Sequence, residues 1–276
     1  MTVQEPQQAH LPHTESKHVG TTMSGMAAGM LQEFKPVKNH DMHFNSLHAY
    51  SDAPTRQVEG NHYCGHLSQD ARQCLIYDSH DTYTARLIGV EYIISREQFV
   101  NLPPEEQAYW HSHRYEVCSG VLIMPGVPEM MEDGEMKKLG DTYGKTWHFW
   151  QVDRGDPLPY GPAKLMASFT GDGQVNAQLL KLRDEKFKVD SGGHKRERRM
   201  KYAKDFGVVH PAADKFNVEL LGSEGQHTQP SQPSQQSSQP SQLSQSQQTQ
   251  PSQQLSQQPS QQPSQQPSQQ PDTHHR

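Results

Sequence analysis

The sequence predicts an α+β domain built on a largely antiparallel sheet with flanking helices. Three observations carry that prediction. Short runs of β-type composition follow one another with connections too brief for the crossovers that parallel strands require. Apolar residues at helical spacing stand before and after those runs. Beyond residue 222 the chain turns into Ser, Gln and Pro, ending in repeated PSQQ, so only the part before it can build a core. The polar residues 1–20 are expected to be loose, residues 21–222 to form one domain, and residues 223–276 to be a disordered tail.

Residues 22–34, TMSGMAAGMLQEF, place Met23, Met26, Met30, Leu31 and Phe34 on one helical face, and Pro36 stops that helix. A second helix is expected over 40–51. RQVEGNHYCGHL (56–67) and RQCLIYDS (72–79) have β-type composition, and TARLIGVEYIIS (84–95) gives the strongest strand pattern. Ser95 with Gln98 is a capping-box pattern opening a short helix, and Pro103–Pro104 followed by two acids opens another. WHSHRYEVCSGVLI (110–123) reads as strand, turn and strand. A helix is expected near 128–140, strands at 145–153 and 164–170, and helices at 174–187 and 193–205.

Net charge is −6 and the pI is near 6.3, so no basic field points to nucleic acid. The basic run HKRERRMKYAK (194–204) contains Glu197 and reads as a solvated helix face. No charged and then apolar leader opens the chain, and no apolar run is long enough to span a bilayer. Cys64, Cys74 and Cys118 lack CxxC spacing and are expected to be reduced thiols of an intracellular, cytoplasmic protein.

Three segments concentrate metal-ligating side chains. On a strand, alternate residues share a face, so NHYCGHL would project His62, Cys64 and His66 together. HSHRYE offers His111 and His113, with Glu116 opposite unless a bulge re-aims it, and WHFWQVD contributes His148. Imidazole, thiolate and carboxylate are the usual ligands of zinc and other divalent transition metals, so the first six of these residues are candidates for one metal site. Against this stands the number of histidines, seventeen, enough to place some at alternate positions by chance. HSHRYE also resembles the start of the first cupin metal motif. Only two residues separate His113 from Glu116 and no second motif follows, so a cupin barrel is not expected. No nucleophile elbow, P-loop or dinucleotide fingerprint is present, and no catalytic role is assigned.

HYCGHLSQDARQCLIYD, ARLIGVEYIIS, LPPEEQAYWHSHRYEV, GVLIMPGVP and YGKTWHFWQVDRGDPLPYGP resemble the oil body-associated protein family over residues 21–202. His62, Cys64, His66, Arg72, His111, His113, Glu116, His148, Asp153 and Asp156 fall on matching family positions, and Arg72, His148, Asp153 and Asp156 are candidate pocket residues. The resemblance implies association with oil bodies, triacylglycerol droplets under a phospholipid monolayer, and implies no enzymatic activity. The chain has no long apolar hairpin to embed in a droplet, so association is expected at the surface or through a droplet protein. The helix at 22–34 suits either role open to it. Its weakly charged polar face resembles lipid-packing sensors, with Met23, Met26, Met30, Leu31 and Phe34 as lipid contacts, and the same methionines could instead dock on the domain. Deleting the residues after Gly222 is expected to leave the melting temperature unchanged, because a segment that buries little stabilises little; a fall of more than a few degrees in calorimetry would contradict the tail assignment.

Overall fold

The structure, a computed structural model, describes residues 19–216, with side chains from residue 22. The expected loose N-terminus lies almost wholly outside the described residues, and the Ser/Gln/Pro tail wholly so.

Four antiparallel strands follow in succession: β1 (Met42–Tyr50), β2 (Ala53–Ser68), β3 (Ala71–Tyr77) and β4 (Leu87–Ser95). Three more follow: β5 (His111–Ser112), β6 (Thr142–His148) and β7 (Lys164–Ala167). The strand order is β4-β3-β2-β1-β7-β6-β5, and every pairing is antiparallel, as the hairpin connections predict. A further pairing of β4 with β6, from Gly89 opposite His148 to Ser95 opposite Thr142, closes six of the seven strands into a ring. No local pattern announces that closure.

The registers define what the ring encloses. His62 lies across from Phe44 and Ile76, Cys74 across from Glu91, and Glu91 across from Thr146. Directly paired residues share a face, so Phe44, Ser46, His48, His62, Cys64, Cys74, Ile76, Glu91, Gly144, Thr146 and His148 all point inward. Phe44, Cys64, Cys74 and Ile93 pack one end together with residues of the surrounding helices, and Tyr50, Val58 and Met166 pack the other. Polar side chains occupy the level between.

Eight helices surround the strands: α1 (Val19–Leu31), α2 (Lys35–Lys38), α3 (Arg96–Val100), α4 (Pro104–Gln107), α5 (Arg114–Ser119), α6 (Glu129–Leu139), α7 (Ala177–Phe187) and α8 (Arg196–Ala203) among the described residues. Ser95 caps α3 by accepting from Gln98 N at 3.3 Å, as its sequence pattern predicts. Asn176 caps α7 in the same way, accepting from Gln178 N and Leu179 N.

Two expected elements are corrected. Residues 40–51 form β1, not a helix. This strand is buried on both faces from Phe44 onward, so its apolar residues lose the period of two that would identify it. Residues 110–123 are not a hairpin. The strand ends at Ser112, α5 takes over, and Gly120 closes the helix at φ +83°, where a Cβ would also stand 2.4 Å from Ser191 O.

The segment after α5 pairs with β1 only through Asn45 and Ile123, so other carbonyls there need donors. Two fully buried arginines supply them. Arg199 donates to Val117 O at 3.1 Å and Leu122 O at 2.6 Å, and Arg183 donates to Val121 O at 2.6 Å and Asn45 Oδ1 at 3.0 Å. The basic run 194–204 is therefore solvated on only part of its surface. Arg199 and Lys195 point inward and pair with Glu132.

Cys64 and Cys74, directly opposite in the β2–β3 register, are joined as a disulfide, which corrects the expectation of free thiols. Cys118 is free and buried. Alkylation of the denatured, unreduced protein should therefore label one cysteine of three, with full labelling only after reduction. Replacing Cys64 and Cys74 together by alanine should cost about 2–3 kcal/mol in denaturant unfolding, the value for closing a loop of this length.

Candidate metal centre

Glu91 organises the polar level of the ring. It is 2% exposed, in the middle of a β4 that is otherwise Leu, Ile, Val, Tyr and Gly up to its terminal Ser95. His62 Nδ1 lies 2.8 Å from its Oε2. On the other side, His111 Nε2 and His113 Nε2 each lie 3.3 Å from its Oε1. One ligand atom from each of Glu91, His111 and His113 forms a group with all separations within 4.8 Å.

Three strands and a turn bring these groups together. β2 carries His62, β4 carries Glu91, and β5 places His111 opposite Gly144 of β6. His113 follows at the residue before α5, its Nδ1 2.8 Å from Thr142 Oγ1. Gly144 makes the approach possible. A Cβ there would fall 2.3 Å from Glu91 Oε1, 2.7 Å from His111 Nε2 and 2.8 Å from His113 Nε2. Gly89 plays a similar part for His148, whose Cδ2 would meet a Cβ at 2.6 Å.

A second imidazole pair continues the polar level. His48 Nδ1 and His148 Nε2 are 3.1 Å apart, and the His48 ring meets the His62 ring edge-on at 4.8 Å. Burial would push the Glu91 carboxyl up, but contacts from His111, His113 and His62 hold it well below the usual carboxylate range. Burial would lower His111, and the adjacent Glu91 instead raises it. Burial and the neighbouring His62 push His148 down to about 3 and His48 well below its ordinary value.

The sequence-predicted ligands meet different fates. His62, His111 and His113 gather around Glu91. Cys64 is taken by the disulfide, and His66 is exposed at the end of β2 with its Nδ1 on Ser68 O, so neither can join. Glu116 is buried but accepts from Ser46 Oγ at 2.9 Å, outside the group formed by Glu91 with His111 and His113. Of the predicted pocket residues, His148 lies in the ring. Arg72 instead pairs with Glu135, Asp153 with Arg56 and Tyr50, and Asp156 with Arg154. Sequence reasoning missed Glu91 and His48. An acid inside an apolar strand was the available signal for Glu91; His48 was hidden by the helix expected over 40–51.

The depressed imidazoles have a consequence for stability. Below about pH 6.5 the unfolded chain binds protons at His48 and His148 that the folded chain excludes, so stability falls as pH drops through that range. His111 has the opposite sign, but its contribution is complete below its unfolded value and cannot offset the fall. Melting temperature should decline from pH 6.5 to 5, above the ordinary carboxylate range, and His148→Gln should make the decline shallower. An equal slope in wild type and variant, by calorimetry across that window, would contradict the assignment.

Residues 34–202 match a family described as a protein of unknown function (DUF1264). Oil body-associated protein 1B of Arabidopsis thaliana is 42% identical over 200 residues, covering 72% of this chain and 82% of that relative. Oil body-associated protein 1A of Zea mays is 44% identical over 195 residues, with 71% and 81% covered, and protein 2B of Zea mays is 45% identical over 184 residues, with 65% and 73% covered. No solved structure matches the chain. On matches of this identity and extent, the chain belongs to the oil body-associated protein family.

Proposed function

We propose that this protein associates peripherally with the surface of oil bodies and that α1 makes the contact. The observation that carries this reading is the exposure of its apolar face. Met23 and Met26 are 66% exposed and Met30 and Leu31 85%, followed by half-exposed Phe34 and Val37. In the described structure this face does not dock on the domain, so one of the two roles that the sequence left open loses its support.

The chemistry suits a droplet monolayer. α1 has no acid in its first turn and no base in its last, so apolar burial rather than charge attraction would drive adsorption. Four such side chains entering the acyl boundary contribute on the order of 5 kcal/mol, counting roughly 1–2 kcal/mol each for incomplete burial. That range gives reversible binding. No described helix is long and apolar enough to cross a membrane, in keeping with surface contact. The relatives named above are oil body-associated proteins, which supports the same assignment for this chain.

The test is flotation of the full-length protein with triacylglycerol droplets coated in phosphatidylcholine. Wild type should float, and Met26→Asp with Met30→Asp should reduce the floated fraction about tenfold or more, with the melting temperature unchanged, as expected for losing about half of that apolar contribution. A double variant that still floats, with or without a lower melting temperature, would refute the α1 contact.

A further inference from the structure

The buried group around Glu91 has a chemistry that surface adsorption does not use. Glu91, His111 and His113 are each 2–3% exposed and direct three ligand atoms at one another beside the bare Cα of Gly144. We propose that these three residues bind a divalent transition-metal ion of the zinc, manganese and iron class, with His62 as the residue that positions Glu91.

Hydrogen-bond bookkeeping favours a cation. Thr142 Oγ1 donates its only proton to Leu139 O at 2.8 Å, so toward His113 it can only accept. His113 Nδ1 therefore carries hydrogen, and in the neutral ring Nε2 is a lone pair. That lone pair faces Glu91 Oε1, another acceptor, at 3.3 Å. The contact is favourable when Nε2 is protonated as well, or when a metal cation lies between the two atoms. His111 Nε2 stands 3.3 Å from the same oxygen without hydrogen-bond alignment, and its Nδ1 has no partner among the described residues. Buried imidazole nitrogens without partners are costly, and a metal would employ one of them directly.

The spacing agrees. A tetrahedral ion with bonds of about 2.0–2.1 Å holds its ligand atoms about 3.3–3.4 Å apart, and both nitrogens lie at 3.3 Å from Oε1. Two imidazoles and one carboxylate form a donor set used for zinc and for non-haem iron alike, with further positions left to water or substrate. Around it stand the usual supports. His62 Nδ1–H donates to Oε2, leaving Oε1 for the ion, and Thr142 fixes the His113 tautomer. The glycine at 144 is part of the design, since any side chain there would overlap all three ligand atoms.

The test uses the untagged full-length chain, stripped with a chelator and titrated with Zn²⁺, Mn²⁺ and anaerobic Fe²⁺ by calorimetry, with bound metal counted by mass spectrometry. At least one of these ions should bind at about one equivalent per chain and raise the melting temperature, as a buried site coupled to the fold requires. Glu91→Gln and the pair His111→Ala, His113→Ala should abolish that equivalent, whereas His62→Ala should weaken it about 10–100-fold, the usual effect of removing an orienting partner. Metal retained by both ligand variants would place it elsewhere in this histidine-rich chain and overturn the proposal. So would the absence of binding by wild type, which would leave Glu91, His111 and His113 as a buried hydrogen-bonded cluster only. If the variants fail to fold, cobalt-substituted wild type decides. Visible bands of a nitrogen- and oxygen-ligated ion support the centre, and colourless protein excludes it.

Discussion

Seven residue pairs join β4 to β6, from Gly89 opposite His148 to Ser95 opposite Thr142, and turn an antiparallel sheet into a closed ring. The other features depend on this pairing. It removes the edges that β4 and β6 would otherwise expose, and it makes one face of each of the six ring strands interior. It also carries Glu91 from the middle of an apolar strand into the same enclosed level as Thr146 and His148. Without closure, Glu91 would lie on an open face where water satisfies it. With closure, the carboxylate must find its partners inside the protein.

Burying a carboxylate is expensive unless polar groups surround it, and the fold meets that requirement with imidazoles from three directions. Such an arrangement contributes little to stability compared with an apolar filling of the same volume. The glycines at 89 and 144 sharpen the point, since each gives up packing so that histidines can approach. Stability comes instead from the apolar ends of the ring and from the two buried arginines that satisfy carbonyls in the last turn of α5 and just after it. The interior level therefore reads as a place where packing has been exchanged for chemistry.

The proposed lipid contact and the proposed metal centre occupy different parts of the molecule and use opposite physics. α1 presents apolar side chains to the surroundings and gains by burying them. The Glu91 level hides polar side chains and gains by bringing them together. Damage to one need not disturb the other.

Periodicity and composition by themselves determined the α+β class, the antiparallel strands β2, β3, β4, β6 and β7, the cap at Ser95, the helix start at Pro104, and the extent of α1, α6, α7 and α8 to within a few residues. These are local properties, written in spacing over a dozen residues. The sequence also picked out His62, His111 and His113, because alternate histidines are conspicuous wherever they fall. Tertiary structure alone decided the rest. β1 is buried on both faces, so its period is erased and His48 could not be assigned a side. Whether Cys64 is a ligand or half of a disulfide depends on the β2–β3 register, which brings Cys74 opposite it. Glu91 became the hub only when β4 met β6. Charge in a strand is legible in sequence, but which strand lies beside it is a matter of closure, and closure is fixed by contacts between residues far apart in the chain.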